Sequence, residues 1–305
     1  MSFAAQEQAL LDLLFDRERR AAFRQDRQHA LAAYDLTPDE RADFATVRMD
    51  ALEMDAAARV NFILAQYCRS YPLAFSLVSS LPQGLERLRG LVDASLLRTP
   101  PGERVGVFGL RLRDGLRSDH AGVEPVTAAR LLAVVEAELG MAMTAQLARG
   151  AALGGALPAV VVLPPDWLQQ PLRLAAFTSA AILPRPYATL KAQLCSCTGA
   201  ELWRQLARQP LPAATRSAVL ATPDLRLLVA RAQVTRDSPC EPWVEHATVE
   251  LGEGFARLLP HVDGRNSVTG LLEQLRAAGA GEPLLAGVLS GFRELARQGM
   301  LQVGD

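Results

Sequence analysis

The cysteines and histidines of this chain are its most obvious candidates for chemistry, and each type occurs four times. Cys195 and Cys197 are separated by one residue, so two thiolates could in principle hold a soft metal ion. Zinc takes four ligands in structural sites, and no second Cys or His pair follows at a suitable spacing. His261 and Asp263 could supply two ligands, but a helix-ending histidine followed by a turn aspartate is the usual explanation. We therefore expect buried or half-buried cysteines, no metal ligands and no catalytic residues.

Sequence signatures of common enzyme classes are also missing. The chain contains no GxSxG nucleophile elbow, no Walker phosphate loop and no GxGxxG dinucleotide fingerprint. No set of residues combines a nucleophile, a base and oxyanion donors. The chain is therefore not expected to be an enzyme by itself, which leaves a binding role.

The clearest pattern for binding lies near the C-terminus. Residues 243–251 alternate apolar and polar side chains, which indicates a half-buried strand, and residues 284–298 repeat apolar side chains at helical spacing. A strand edge beside a helix can accept an extended peptide as an additional strand. We therefore predict a groove between the two, although its apolar residues could equally fill the core of the module. The candidate peptide-binding residues are Val244, Glu245, His246, Thr248, Val249, Glu250, Leu285, Val288, Leu289 and Phe292.

The elements around this groove follow the order of a winged helix. Residues 227–234 read as a strand that would pair with 243–251 in a hairpin. Asp263 and Gly264 are a turn signal, and Ser267 is a suitable N-cap for the next helix. Winged helices bind either DNA or peptides, so the ligand must be decided by other features.

The remainder of the chain is predicted to be mainly helical, and the overall class to be α+β, mostly α. Residues 1–99 are expected to form a helical domain, 100–222 a mixed but mainly helical region, and 223–305 a winged-helix module with a small antiparallel sheet. Thr37, Pro38 and Glu40 have the spacing of a capping box with proline in the first turn. Residues 159–163 suggest a short strand, and 167–183 suggest a helix beyond Pro171.

Charge argues against a nucleic-acid partner. The formal net charge is −1, and residues 241–305 contain nine acids and five arginines, a net charge of −4. A module that docks on DNA needs Arg and Lys contacts to phosphates, so this sign favours a peptide. The sequence shows neither a signal peptide nor an uninterrupted apolar run of membrane-spanning length, so a cytoplasmic protein without a membrane partner is expected.

Two resemblances make the binding role more specific. The segments Arg-Ala-Gln-Val at 231–234, Trp-Val-Glu-His at 243–246 and Leu-Leu-Pro-His-Val-Asp-Gly at 258–264 are similar to a regulatory winged helix next to some bacterial methyltransferases. They also look like the leader-peptide-recognition domains of ribosomally made peptide natural products, whose type member is the small pyrroloquinoline-quinone chaperone. This resemblance covers about a quarter of the chain.

A second resemblance lies in the helical region. The segments at 52–56, 63–73 and 79–82, with Arg59, resemble the partner subunits of multinuclear non-haem iron oxidases in the methanobactin and 3-thiaglutamate pathways. It implies that a separate TIM-barrel oxidase holds the iron and acts on a cysteine, while this chain holds no cofactor and binds the precursor peptide.

We therefore expect a non-catalytic partner that presents a ribosomally made precursor peptide to an iron-dependent oxidase. Two alternatives remain open at this point. The first is a DNA-binding winged-helix regulator that reads the major groove with residues 268–276. The second is a regulatory domain protein of a methyltransferase-type enzyme.

Overall fold

The computed structural model describes residues 3–118, 122–157, 162–221, 223–236 and 242–304. It is 63% helical and contains two antiparallel sheets of three strands each. The predicted class, α+β and mostly α, is therefore confirmed.

The first half of the chain is a series of helices whose ends follow local sequence rules. Thr37 accepts a hydrogen bond from the Glu40 amide while Glu40 accepts one from the Thr37 amide, so the predicted capping box is confirmed. Prolines occupy the first turn of several helices, where a missing N–H costs nothing. The helices are α1 (Phe3–Phe15), α2 (Arg17–Gln25), α3 (Arg27–Leu31), α4 (Pro38–Ala45), α5 (Met49–Tyr67), α6 (Pro72–Ser79), α7 (Gly84–Gly90), α8 (Ala94–Arg98), α9 (Arg104–Ser118) and α10 (Pro125–Leu153).

The second half mixes strands and helices. The chain forms two 3₁₀ segments, Glu253–Arg257 and Leu259–His261, and Ser267 caps the next helix as predicted, by accepting a hydrogen bond from the Gly270 amide. Asp263 and Gly264 open a strand rather than forming an isolated turn. The elements are β1 (Pro171–Leu174), β2 (Thr178–Leu183), α11 (Tyr187–Leu194), α12 (Gly199–Arg208), α13 (Ala213–Ala221), β3 (Arg226–Arg236), β4 (Trp243–Gly252), β5 (Asp263–Ser267), α14 (Val268–Ala277), α15 (Glu282–Arg297) and β6 (Leu301–Val303).

The predicted helix over 167–183 is wrong, because this segment contains a 3₁₀ turn and the strands β1 and β2. Each strand pairs with segments far along the chain, β1 with β5 and β6, and β2 with β3. The hydrogen bonds with these distant strands override the weak local preference of residues 167–183 for a helix. The strand suggested at 159–163 falls mostly outside the described residues, and Val162 and Leu163 belong to no strand.

The sheet that concerns the candidate groove has the strand order β2-β3-β4. The predicted hairpin is confirmed, since β3 and β4 are antiparallel and Leu227 is opposite Leu251 in a register that continues to Val234 opposite Val244. The connection between these two strands, residues 237–241, lies outside the described residues.

Two hydrophobic cores lie on opposite sides of this sheet. The first joins the N-terminal helices with α11 to α13, as in the edge-to-face contact between Phe75 and Trp203, whose ring centroids are 5.7 Å apart. The second joins Leu172, Val229 and Phe292 with the other apolar residues of the C-terminal elements. The division into 1–99, 100–222 and 223–305 stays a prediction, and each core draws residues from more than one of these ranges.

Helix α10 connects the two halves by packing across the sheet, against β2, β3 and β4. Among the described helices, it is the only one long and apolar enough to cross a membrane by length and composition. Over half of its most apolar window is buried inside the protein, where the helix packs against the sheet. The expectation of no membrane partner stays a prediction.

Replacing Phe292 by alanine tests the second core. The Phe292 ring is fully buried, and its centroid lies 5.0 Å from the centroid of the Phe255 ring. Removing the Phe292 ring therefore leaves a cavity. We expect the free energy of unfolding in urea to fall by about 3–5 kcal/mol. The exposed neighbour Arg293 is the control, and Arg293→Ala should change it by less than about 0.5 kcal/mol. Equal unfolding midpoints for the two variants would contradict this packing.

Candidate functional site

Strand β4 is an edge strand, since among the described strands it pairs only with β3. The Ala232 amide donates to the Phe177 carbonyl at 3.0 Å, so even-numbered residues of β3 bond toward β2 and odd-numbered residues bond toward β4. In this register, the odd-numbered residues of β4 make the backbone hydrogen bonds with β3. The residues that direct their N–H and C=O groups toward the open edge are Val244, His246, Thr248 and Glu250.

The odd-numbered side chains of β4 face the C-terminal helices. Val249 is buried in the second core. Gly291 lets α15 approach closely, because a Cβ there would stand 3.4 Å from Leu251 and only 2.6 Å from the ring of Phe255. The strand is therefore held firmly from this side.

The even-numbered side chains of β4 face α10 and α11. Nε2 of His246 lies 2.9 Å from the carbonyl oxygen of Met141, so this nitrogen carries the hydrogen and donates. Burial lowers the pKa of His246, which keeps the ring neutral. Val244 packs with alanines of α10, Glu250 accepts from the Ala188 amide at 3.2 Å, and Thr248 is exposed.

The candidate residues of α15 lie inside the protein. Leu285, Val288 and Phe292 are buried, and Leu289 is partly buried against the same core. The structure thus brings Val288 and Phe292 together with Val249, whereas Val244 and His246 lie on the opposite face of the sheet. The role of the α15 residues as peptide contacts stays a prediction, and their observed contribution is to support β4.

Sequence reasoning missed an aromatic residue at the start of the edge. Trp243 is 59% exposed, and its indole N–H donates to Oε1 of Glu245 at 3.1 Å. Both side chains belong to the odd-numbered set, so they share one face of the strand. The signal available in the sequence was a large aromatic residue two positions before a glutamate in an alternating strand.

A second unpredicted group is the fully buried carboxylate of Glu138 on α10. Its two oxygens accept the amides of Leu73 and Ala74, each at 2.9 Å, and so cap the first turn of α6. Burial raises the pKa of Glu138 to about 8, although these donors and the Tyr187 hydroxyl favour the ionised form. The group is enclosed, so it ties α10 to α6. Helix α10 has two glutamates in its apolar sequence, and Glu138 is the one that is buried, whereas Glu136 pairs with Arg117 at the surface.

The three cysteines that the structure describes are buried or half-buried as predicted, and Cys240 lies outside the described residues. Cys68 is buried, while Cys195 and Cys197 are half-buried. Ser76 Oγ lies 3.8 Å from the sulfur of Cys195, and burial raises the pKa of that thiol to about 11, so it is protonated at neutral pH. Within the described ranges, no three His, Cys, Asp or Glu residues are grouped so that they could hold a metal ion.

A cleft of about 780 Å³ between α1, α2, α5 and α7 is lined by charged residues. Its charges compensate each other, since Arg17 pairs with Glu86 at 2.7 Å and Arg24 pairs with Glu53. The cleft therefore presents no excess charge of one sign, and it selects no ligand class by electrostatics.

The pH dependence of stability tests the buried carboxylate. The folded protein keeps the Glu138 proton up to a pH of about 8, whereas the unfolded chain releases it near 4.5. The free energy of unfolding should therefore fall as the pH rises between these values, by at most about 1.4 kcal/mol per pH unit. In Glu138→Gln this pH-dependent part of the free energy of unfolding should be absent. It is measured by urea titrations of both proteins at several pH values, as the difference between their free energies of unfolding. Parallel pH profiles would exclude the assignment.

Comparisons of the chain with protein-family models, with curated proteins and with solved structures give no match. Function must therefore be inferred from the residues of the chain itself. The free edge of β4 offers the most complete set of exposed recognition groups among the sites described above.

Proposed function

We propose that this chain binds an extended peptide along the free edge of β4 and presents it to a separate enzyme. The observation that carries the proposal is the run of outward-directed backbone groups at Val244, His246, Thr248 and Glu250 on a strand packed on both faces. An added strand would complete these hydrogen bonds, as in other proteins that recognise peptides by strand addition.

The energetics suit a specific but reversible complex. Each intermolecular backbone hydrogen bond contributes about 0.5–1.5 kcal/mol net, because both partners lose bonds to water. The peptide pays the cost of becoming ordered, whereas β4 is already held by α10 and by the second core. A preorganised receptor loses less entropy on binding, so a modest number of such bonds is sufficient.

The identity of the peptide and of the enzyme rests on the resemblances carried by 231–264 and 52–82. They support a ribosomally made precursor peptide as ligand and an iron-dependent TIM-barrel oxidase, acting on a cysteine, as partner. In this proposal the iron belongs to the oxidase, and the present chain contributes binding and positioning without a catalytic residue.

A proline at Thr248 tests the edge directly. The Thr248 amide points away from β3, so Thr248→Pro removes an outward donor without breaking a bond inside the sheet. Random twelve-residue peptides would be displayed, selected on the immobilised wild-type protein and measured individually. We expect Thr248→Pro to weaken their binding about tenfold or more, since a hydrogen bond is lost and the ring obstructs the incoming strand.

The matched control is Ala180→Pro on the opposite edge strand β2. Ala180 is also exposed with its amide directed outward, so general destabilisation of the sheet should be similar in both variants. Hydrogen exchange should show protection of the amides of β4 upon peptide addition and none in β2. If Ala180→Pro loses binding and Thr248→Pro does not, the peptide binds at β2 and the proposal is refuted.

The assignment of the iron to a partner has its own test. The purified chain should contain no stoichiometric iron by elemental analysis, and it should leave a cysteine-containing peptide unchanged under air with a reductant. Tightly held iron together with turnover by this chain in isolation would show that the metal centre is its own.

A further inference from the structure

We infer that the peptide taken by β4 is cationic, with Lys or Arg residues five positions apart that face Glu245 and Glu250. This inference rests on the proposed function, because it assigns side-chain chemistry to the peptide on that edge. It follows from the charges along the strand and from the direction in which each side chain points.

Strand β4 carries two glutamates and neither lysine nor arginine. Glu245 and Glu250 are its charged side chains, and within the described part of the chain neither has an ion-pair partner. Among the described residues, the exposed Glu245 accepts from the indole N–H of Trp243, and the half-buried Glu250 accepts from the Ala188 amide. A carboxylate can accept several hydrogen bonds, so both retain capacity for a cationic donor.

Trp243 adds a second feature that favours a cation over other partners. Its ring is 59% exposed and stands on the same face of the strand as Glu245. An ammonium or guanidinium group near both would gain the ion pair together with attraction to the face of the indole ring. An apolar ligand at this position would instead leave the Glu245 carboxylate without compensation.

The strand geometry fixes the spacing of the two cationic residues. Glu245 and Glu250 are an odd and an even residue, so they lie on opposite faces of the sheet. Residues directly opposite each other on neighbouring strands have Cβ atoms about 4.5–5.5 Å apart, and opposite charges there attract. The peptide residues opposite the two glutamates are therefore also five positions apart and on opposite faces.

The positions between them have a different preference. His246 carries no negative charge, and its ring donates to the Met141 carbonyl of α10. A basic peptide residue opposite His246 therefore has no carboxylate directly across from it with which to form an ion pair. The expected ligand is consequently an extended segment with two separated cationic residues, rather than a uniformly basic tract.

Four synthetic peptides test the charge pattern. Each has ten residues of alternating threonine and valine, and positions 3 and 8 are lysine, glutamine or glutamate. The fourth carries lysines at positions 3 and 7, which keeps the charge but places both side chains on one face. Binding is measured by fluorescence anisotropy at low and high salt, and the occupied strand is identified by hydrogen exchange of β4.

We expect the 3,8-lysine peptide to bind about three- to tenfold more tightly than the glutamine peptide at low salt, with less difference at high salt. The 3,7-lysine peptide can place only one lysine opposite a glutamate, so it should keep about half of this gain in binding free energy. In the double variant Glu245→Gln, Glu250→Gln, lysine should lose its advantage while the glutamine peptide binds as before. Glu273→Gln, which removes an exposed charge from α14, is the matched control and should change nothing.

The possible failures are distinguishable. If the glutamine peptide protects β4 but lysine adds nothing, or if the glutamate peptide binds best, the charge inference is wrong and strand addition stands. If no peptide protects β4, both the inference and the proposed function fail. If the chain alone forms a dimer that Thr248→Pro dissociates, a second copy occupies the edge, and the inference is likewise overturned.

Discussion

The burial of β3 on both of its faces is the constraint on which the rest of the structure depends. Val229 packs into the core of the C-terminal elements, whereas Leu228 belongs to the core of the N-terminal helices and Ala232 packs against alanines of α10. A shift of one residue would exchange side chains between these different environments. The register of the β3–β4 hairpin is therefore fixed, and with it the set of backbone groups that β4 directs toward its open edge.

Local signals in the sequence were sufficient for the elements that depend on neighbouring residues. The capping box at Thr37 and the N-cap at Ser267 follow from residues a few positions apart, and the β3–β4 hairpin follows from two alternating segments that are neighbours in the chain. Strands β1 and β2 could not be obtained in this way. Thr178 pairs with Arg231, and Leu172 pairs with Val303, so their conformation is decided by partners that no local window contains.

The sequence predicts that β4 is a strand, but it does not predict which elements cover its two faces. The two-residue period already separates Val244 and His246 from Val249, so a single groove could not receive all three side chains. The sequence could not show that α10 covers the even-numbered face, because the contacts of His246 with Met141 and of Val244 with the alanines of α10 join residues about a hundred positions apart. Glu138 illustrates the same limit, because its partners Leu73 and Ala74 lie more than sixty residues away.

An open strand edge is a hazard, since it can pair with another copy of itself, and proteins commonly protect it with charge. In β4 the protecting charges, those of Glu245 and Glu250, are both negative. Antiparallel pairing of two copies can place Glu245 opposite Glu245, or Glu250 opposite Glu250, and these registers are disfavoured by repulsion. A cationic strand meets no such barrier. The same two carboxylates that discourage self-association therefore leave the edge accessible to a ligand of opposite charge, so protection and selectivity have one physical origin.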